Sequence, residues 1–141
     1  MEEEEELNVK NRIGQTIYFV LALLFLLCIM IQIFLAGLAI FANPVHWIKH
    51  TMFIHLFGFN IPLFMLLSAY IGRMPRWSYW SIFGMFVSVF LMYFTANMSA
   101  QFPWIAAAHP VVAMLLFIIS LVTVLTTWKL IVSSASKKGG D

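Results

Sequence analysis

The stretch from residue 43 to residue 60 decides how this chain is interpreted, and it reads NPVHWIKHTMFIHLFGFN. It opens with Asn43 and Pro44, a pair in which the asparagine caps a helix and the proline takes the first helical position. From Thr51 onwards the stretch runs without a break into a long apolar segment that contains His55. A titratable ring at membrane depth is costly and usually marks a functional site. The stretch therefore predicts the entry of a membrane helix and a candidate site within it.

The composition extends this interpretation to the whole chain of 141 residues, of which 62% are hydrophobic and 10% are charged. A soluble domain of this size cannot hide so much apolar surface, so the composition predicts an integral membrane protein. The apolar runs lack the strict alternation of a membrane β-barrel, which leaves transmembrane helices. The single cysteine, Cys28, excludes a disulfide framework within one chain.

Four apolar segments predict an all-α membrane fold, an antiparallel up-down four-helix transmembrane bundle. The predicted transmembrane domain covers residues 16–132, with spans at about 16–42, 44–72, 77–98 and 109–132. Residues 1–15 are polar and rich in glutamate, and they predict a solvated, disordered tail. Residues 133–141 are predicted to form a second, flexible tail. Pro62 is expected to kink the second span.

Positive charges predict the orientation of the bundle, because lysine and arginine are enriched in the cytoplasmic segments of membrane proteins. Only Lys49 flanks one end of the spans. The other end is flanked by Lys10, Arg12, Arg73, Arg76, Lys129, Lys137 and Lys138. Both termini, and with them both tails, are therefore predicted to be cytoplasmic in a multi-pass protein of the cell membrane.

His55 and His109 form the leading candidate site. Each lies near the start of a span that is predicted to run from outside to inside, so both are expected in the outer part of the membrane. The second and fourth helices of an up-down bundle lie diagonally across its axis, which would place the two imidazoles on opposite sides of one ligand. Two neutral imidazoles are a suitable axial pair for a haem iron. Gly58 would leave room for the flat macrocycle, and Gln32 would line the pocket.

These histidines also have an interpretation that involves no cofactor. Interfacial histidines that hydrogen-bond to loop carbonyls, to Gln32 or to Asn97 would produce the same sequence, and small polar stripes pack membrane helices without any ligand. His46 and His50 are one helical turn apart, but two ligands with no Cys, Asp or Glu nearby do not make a metal site. His46 and His50 are therefore interpreted as exposed residues of the membrane interface.

The absence of several sequence motifs reduces the number of functional classes to which the chain could belong. No Asp or Glu lies within any predicted span, which disfavours a proton-coupled antiporter of the multidrug type. The chain has no phosphate-binding glycine loop, no Ser-His-Asp arrangement and no HExxH motif. Hydrolytic catalysis therefore has no support, no catalytic residue is assigned, and no nucleic-acid partner is expected.

Three short segments resemble the pattern of a family of small prokaryotic four-helix membrane proteins with no assigned function. They are QIFLAG at residues 32–37, HLFG at 55–58 and AAHP at 107–110. More remotely, the layout is similar to one half of haem A synthase, whose four-helix halves offer histidines from the second and fourth helices near the outer surface. That resemblance implies that His55 and His109 are haem ligands. Haem A synthase also carries an acidic residue near its histidines, whereas Phe53 and Ile54 precede His55 here.

The sequence thus predicts a b-type haem-binding membrane protein, acting in electron transfer or haem handling, with haem b held by His55 and His109 near the outer face. Two alternatives stay open. The first is a cofactor-free structural or interaction subunit of a membrane complex, and the second is a binder or carrier of a small apolar molecule such as a quinone or lipid. The predicted partners are the lipid bilayer, a haem or quinone, and either a second copy of the chain or another subunit of a membrane complex.

Overall fold

The computed structural model describes residues 2–136, including the side chains of residues 3–133. All regular structure in this part of the chain is helical. The helices, in chain order, are α1 (Glu2–Phe41), α2 (His46–Phe57), α3 (Asn60–Ile71), α4 (Arg76–Asn97), α5 (Pro103–Ala106) and α6 (His109–Ser136). The helical stretches long and apolar enough to cross a membrane are Glu3–Phe41, His46–Ile71, Arg76–Asn97 and Pro103–Ser133. The prediction of an all-helical fold with four helices of membrane-spanning length is confirmed.

The spans pack into a four-helix bundle. Helix α1 packs against α2, α3 and α6, while α4 packs against α3 and α6. Because α3 and α6 each contact both α1 and α4, they lie on opposite sides of the bundle. Short links join successive spans, and short links favour neighbours in space.

The second span consists of two helices. Pro62 has no N–H to donate to the carbonyl of Gly58, so the hydrogen-bond ladder is interrupted at that point. Helix α2 ends at Phe57, and Pro62 lies in the first turn of α3, where no intrahelical partner is lost. Asn60 Nδ2 donates to the carbonyl of Leu56 at 2.7 Å and satisfies a carbonyl at the end of α2. The kink expected at Pro62 therefore takes the form of a break one turn earlier.

The ends of the chain differ from the predicted tails. The glutamate-rich segment at residues 2–15 is the first part of α1, whereas the sequence predicts a disordered tail over residues 1–15. Glutamates near a helix N-terminus interact favourably with the helix dipole, and no proline interrupts this segment. Helix α6 extends to Ser136, beyond the predicted end of the last span. The remainder of the predicted C-terminal tail, residues 137–141, lies outside the described residues, as does Met1.

The closest approach of two helices lies at the end of the bundle that contains Gly14 and Gly72, here called the glycine end. A Cβ atom added to Gly14 would overlap the backbone nitrogen of Gly72, and one added to Gly72 would lie 2.7 Å from the nitrogen of Gln15. Gln15 Nε2 also donates to the carbonyl of Gly72 at 3.1 Å. Small residues permit such close approaches between membrane helices. The backbones of α1 and α3 therefore touch here.

The buried core extends from the glycine end towards the middle of the bundle. Tyr18, Met65 and Met85 are fully buried within it. Buried hydroxyl groups on α6 donate to the carbonyl one turn earlier in the same helix, and they belong to Ser120, Thr123 and Thr127. The outward surfaces of the helices expose leucine, isoleucine and phenylalanine, which is compatible with contact with a lipid bilayer.

Candidate functional site

A small cavity lies at the other end of the bundle and is here called the histidine pocket. It has a volume of about 80 Å³. Its polar wall is formed by Gln32 of α1, His50 of α2 and His109 of α6. The remaining lining residues are Thr51, Ile54, Met92, Tyr93 and Ala96. All four spans therefore contribute to one pocket.

His50 and Gln32 are joined by two hydrogen bonds between α2 and α1. Gln32 Nε2 donates to the backbone carbonyl of His50 at 2.9 Å, and the imidazole Nδ1 of His50 lies 3.1 Å from the backbone carbonyl of Gln32. A carbonyl oxygen only accepts, so Nδ1 of His50 must carry a proton. In a neutral imidazole with a protonated Nδ1, the Nε2 atom has a free lone pair.

His109, the first residue of α6, is held in the same way by α4. Its Nδ1 lies 3.1 Å from the carbonyl of Met92 and 3.0 Å from the hydroxyl of Thr95. The Thr95 hydroxyl donates to carbonyls of its own helix, so its oxygen accepts from His109. Nδ1 is again the protonated nitrogen, which leaves a free lone pair on Nε2 of His109.

Gln32 adds a third acceptor to the histidine pocket. Its side chain is only 7% exposed, and within residues 3–133 its Oε1 atom has no hydrogen-bond partner. A buried polar atom left without a partner costs about 1–3 kcal/mol. The hydroxyl of Thr51 donates to a backbone carbonyl, and that of Tyr93 is engaged by His55. The pocket therefore suits a ligand that brings positive charge or hydrogen-bond donors.

A metal ion matches these acceptors. Imidazole nitrogens suit zinc, copper, iron and nickel, and a metal-ligating histidine usually donates its other ring N–H to a carbonyl or carboxylate. The side chains of His50 and His109 line the same pocket. In the described part of the chain no three side chains of His, Cys, Asp or Glu converge. Further ligands to a metal between the two histidines would have to come from Gln32, Met92 or water.

A haem does not fit the histidine pocket in this packing. Pockets for organic ligands have volumes of roughly 300 Å³ or more, against about 80 Å³ here. The surrounding helices would have to separate before a macrocycle could lie between His50 and His109.

His55, which the sequence selects as a ligand, does not line the histidine pocket. Its side chain is exposed, its ring stacks on Tyr93 with centroids 5.3 Å apart, and its Nδ1 lies 2.9 Å from the Tyr93 hydroxyl. Five residues along a helix rotate the side chain by about 140°, so His50 and His55 face different directions. The structure thus brings His109 and Gln32 together with His50 rather than with His55.

Gly58 and His46 also lie away from the pocket. A Cβ atom on Gly58 would lie 2.8 Å from the carbonyl of Ile54 in the preceding turn, so its missing side chain does not widen the pocket. His46 is half-buried, and its Nδ1 has no partner among the side chains that the structure describes. His50 is half-buried and hydrogen-bonded, which differs from the exposed interface residue that the sequence predicts.

Sequence reasoning missed His50, although a usable signal exists. Gln32 lies ten residues before the link at residues 42–45, and His50 lies five residues after it. Residues on either side of the turn of a helical hairpin lie at the same end of the bundle. Thr95 and His109 lie on either side of the link between the third and fourth spans. Pairing polar residues across each link would have included His50 among the candidates.

The described part of the chain defines an all-helical membrane protein with a polar pocket formed by its four spans. Residues 32–101 match the family model of a family of unknown function, DUF6220. The match begins at Gln32 and includes His50 and Tyr93, whereas His109 lies beyond it. The predicted likeness to an uncharacterised family is confirmed, and the match gives no likeness to haem A synthase. No curated protein and no solved structure matches the chain.

Proposed function

We propose that this protein is a multi-pass protein of the cell membrane and that it binds a transition-metal ion between His50 and His109. The observation that carries the proposal is the matched pair of Nδ1 hydrogen bonds to backbone carbonyls. These bonds leave an Nε2 lone pair free on each of two histidines that line the same cavity, and Gln32, which also lines it, has an Oε1 atom without a partner in residues 3–133. The protonation pattern of both rings is the one that metal-ligating histidines adopt.

The proposed topology is antiparallel, with both termini in the cytoplasm. Contacts between the first and second spans support it, because the residue number of the partner falls as the first span advances. Gln15 contacts Gly72, whereas Gln32, further along the first span, contacts His50. Thr95 and His109, on either side of the link between the third and fourth spans, are also in contact. The concentration of lysine and arginine at the glycine end supports a cytoplasmic location for that end. The histidine pocket then lies in the outer part of the membrane.

The size of the pocket favours an ion over a larger ligand. A volume of about 80 Å³ admits an ion with one or two waters, since each water occupies roughly 30 Å³ in the liquid. Copper and zinc are the metals we propose, because imidazole suits both and a thioether such as that of Met92 adds affinity for Cu(I). A quinone is less suited, because its carbonyl oxygens are acceptors and would face acceptors.

Haem b remains a second candidate, and one observation favours it. His50 belongs to the second span and His109 to the fourth, and these spans lie on opposite sides of the bundle. Imidazoles from opposite sides are suited to axial ligation of a b-type haem in electron transfer or haem handling. In this proposal the ligand pair is His50 and His109 in place of His55 and His109, and the helices must separate to admit the macrocycle.

One preparation distinguishes these candidates. The full chain is purified from cells supplied with haem, copper and zinc, and its metal content and visible absorbance are measured together. We expect copper or zinc in stoichiometric amount without a Soret band. Iron with a Soret band would favour haem b, and a preparation with neither metal nor colour that takes up no added metal would leave the cofactor-free structural subunit.

A variant at His109 tests whether the pocket holds the metal. The Asn amide nitrogen stands at the same position along the side chain as imidazole Nδ1, so His109→Asn retains a donor to Met92 O while Nε2 is removed. We expect the variant to fold normally and to lose at least tenfold in metal affinity, or about 1.4 kcal/mol. Unchanged affinity would exclude His109 as a ligand.

A further inference from the structure

An apolar groove lies on the surface of the bundle between α3 and α4, near the glycine end. It has a volume of about 480 Å³ and is lined by Leu63, Phe64, Leu66, Leu67, Tyr70 and Tyr79. Helix α3 turns its opposite face, including Met65 and Ala69, towards the core. The groove side chains are exposed, and Leu67 and Tyr70 are exposed by 57% and 77%. This groove is independent of the histidine pocket.

The groove ends where the chain becomes polar. Tyr70 and Tyr79 stand at that end, and tyrosine is enriched where membrane helices meet the headgroup region. Arg73 follows Tyr70 by three residues and Arg76 precedes Tyr79 by three, so both arginines lie just beyond the mouth of the groove. Both are exposed, and neither forms an ion pair within the part of the chain that the structure describes.

Arg73 also occupies an unusual backbone conformation. Its φ is 45°, in the left-handed region that favours glycine. A glycine at this position would avoid the steric cost of a side chain, which is about 1 kcal/mol. The chain nevertheless places Arg73 in the four-residue link between α3 and α4, three residues before Arg76 at the start of α4.

We propose that the α3–α4 groove binds one anionic glycerophospholipid of the adjacent leaflet. An acyl chain lies along Leu63, Leu67 and Phe64, and the phosphate lies against Arg73 and Arg76. Leu63 and Tyr70 are seven residues apart, which corresponds to about 10 Å of helix. That length covers a large part of one leaflet, which is about half of a hydrocarbon core of roughly 30 Å. Guanidinium groups bind phosphate oxygens in pairs. The two arginine charges favour a headgroup of net negative charge, because the ammonium group of a zwitterionic headgroup offsets the phosphate and is repelled by the arginines.

Native mass spectrometry of the delipidated full chain tests this proposal. The protein is titrated with phosphatidylglycerol and with phosphatidylcholine that carry identical acyl chains. We expect one retained phosphatidylglycerol at a level at least fivefold above phosphatidylcholine. Equal retention of the two lipids would overturn the proposal.

Three variants assign the binding to the groove. Arg73→Gln/Arg76→Gln should abolish the preference for phosphatidylglycerol, whereas Lys129→Gln, which removes an exposed charge from α6, should preserve it. Leu67→Trp should reduce retention of phosphatidylglycerol at least fivefold, because the indole fills the groove. Helical content measured by circular dichroism confirms that each variant is folded. A preference that survives the double arginine variant, or retention that is unaffected by Leu67→Trp, would contradict the proposed site.

Discussion

The two ends of the bundle are held together by different means. At the glycine end, α1 and α3 approach until their backbones touch at Gly14 and Gly72, and the core beside them is fully buried. At the histidine end, side chains make the connections, with Gln32 bonded to His50 and His109 bonded to α4. A cavity of about 80 Å³ separates these groups, and one buried acceptor that lines it has no partner in residues 3–133.

The different packing of the two ends indicates which end contributes to the stability of the bundle and which end has space for a ligand. Close backbone packing leaves no space for a ligand, so the glycine end contributes to the stability of the bundle. A buried polar atom without a partner lowers stability, and within residues 3–133 the hydroxyl of Tyr18 beside the glycine end is such an atom as well as Gln32 Oε1. The feature that distinguishes the histidine end is therefore the cavity that its polar residues line. The glycine end therefore has the packing of a structural region, and the histidine end has the space that the proposed ligand binding requires.

The largest effect is expected from Gly14→Ala. The new Cβ would overlap the backbone of Gly72, which cannot move without separating α1 from α3. We expect a loss of about 3 kcal/mol in unfolding free energy, at the upper end of the usual cost of overpacking. Unfolding in detergent, followed by circular dichroism, measures this loss.

Gly37→Ala is the matched control for that variant. Gly37 lies in the same helix, and a Cβ added there would meet nothing within 4 Å. We expect no loss, and a gain of up to about 1 kcal/mol, because alanine is the better helix former. Equal stabilities of the two variants would show that the glycine end is not closely packed.

A smaller effect on stability is expected at Gln32. Gln32→Leu removes the donor to the carbonyl of His50 and the unpartnered Oε1 together. The lost bond and the gained apolar contact oppose each other, so we expect a net loss of about 1 kcal/mol. Metal affinity should fall, since an acceptor of the pocket is removed. Gln15→Leu, at the glycine end, should leave metal affinity unchanged. A lower metal affinity in Gln15→Leu would contradict the separate roles of the two ends.

Thr95 should affect the pocket through His109. Thr95→Val removes the hydroxyl that accepts from His109 Nδ1, while the carbonyl of Met92 remains as acceptor. Loss of such an orienting partner typically lowers metal affinity by about tenfold. Isothermal titration with the metal measures this change, and Thr95→Ser should restore the wild-type affinity. A value for Thr95→Val equal to that of wild type would indicate that Met92 alone orients the ring.

The smallest effect is expected from Tyr93→Phe. The hydroxyl that it removes is hydrogen-bonded to the exposed ring of His55. We expect the unfolding free energy to change by no more than about 0.5 kcal/mol and metal affinity to stay unchanged. A large loss of metal would show that Tyr93 belongs to the binding site.

Much of the fold could be predicted because membrane helices are encoded by long apolar runs. The four spans follow from hydrophobicity alone. The break at Gly58 is less visible, because its cause is the missing N–H of Pro62 four residues later. The helical segment at residues 2–15 is not visible in hydrophobicity, since its glutamates are equally suited to a solvated tail.

The candidate site could be predicted only in part, because the depth of a residue in the membrane and the direction in which its side chain points are set by different features of the sequence. The positions of His50 and His55 along the second span indicate similar depths, but their directions depend on the rotation of α2 against α1. That rotation is set by the two bonds between Gln32 and His50, which hydrophobicity does not reveal. Gln32 is polar within an apolar span and so was detectable, whereas Met92 is indistinguishable from a core residue.

We infer that His50, and not His55, is paired with His109. Metal bound per chain should be measured in His50→Asn and His55→Asn, purified in parallel with the wild type. We expect His50→Asn to lose at least tenfold in metal affinity and His55→Asn to retain the stoichiometric metal of the wild type. Loss of metal from His55→Asn with retention in His50→Asn would contradict this pairing.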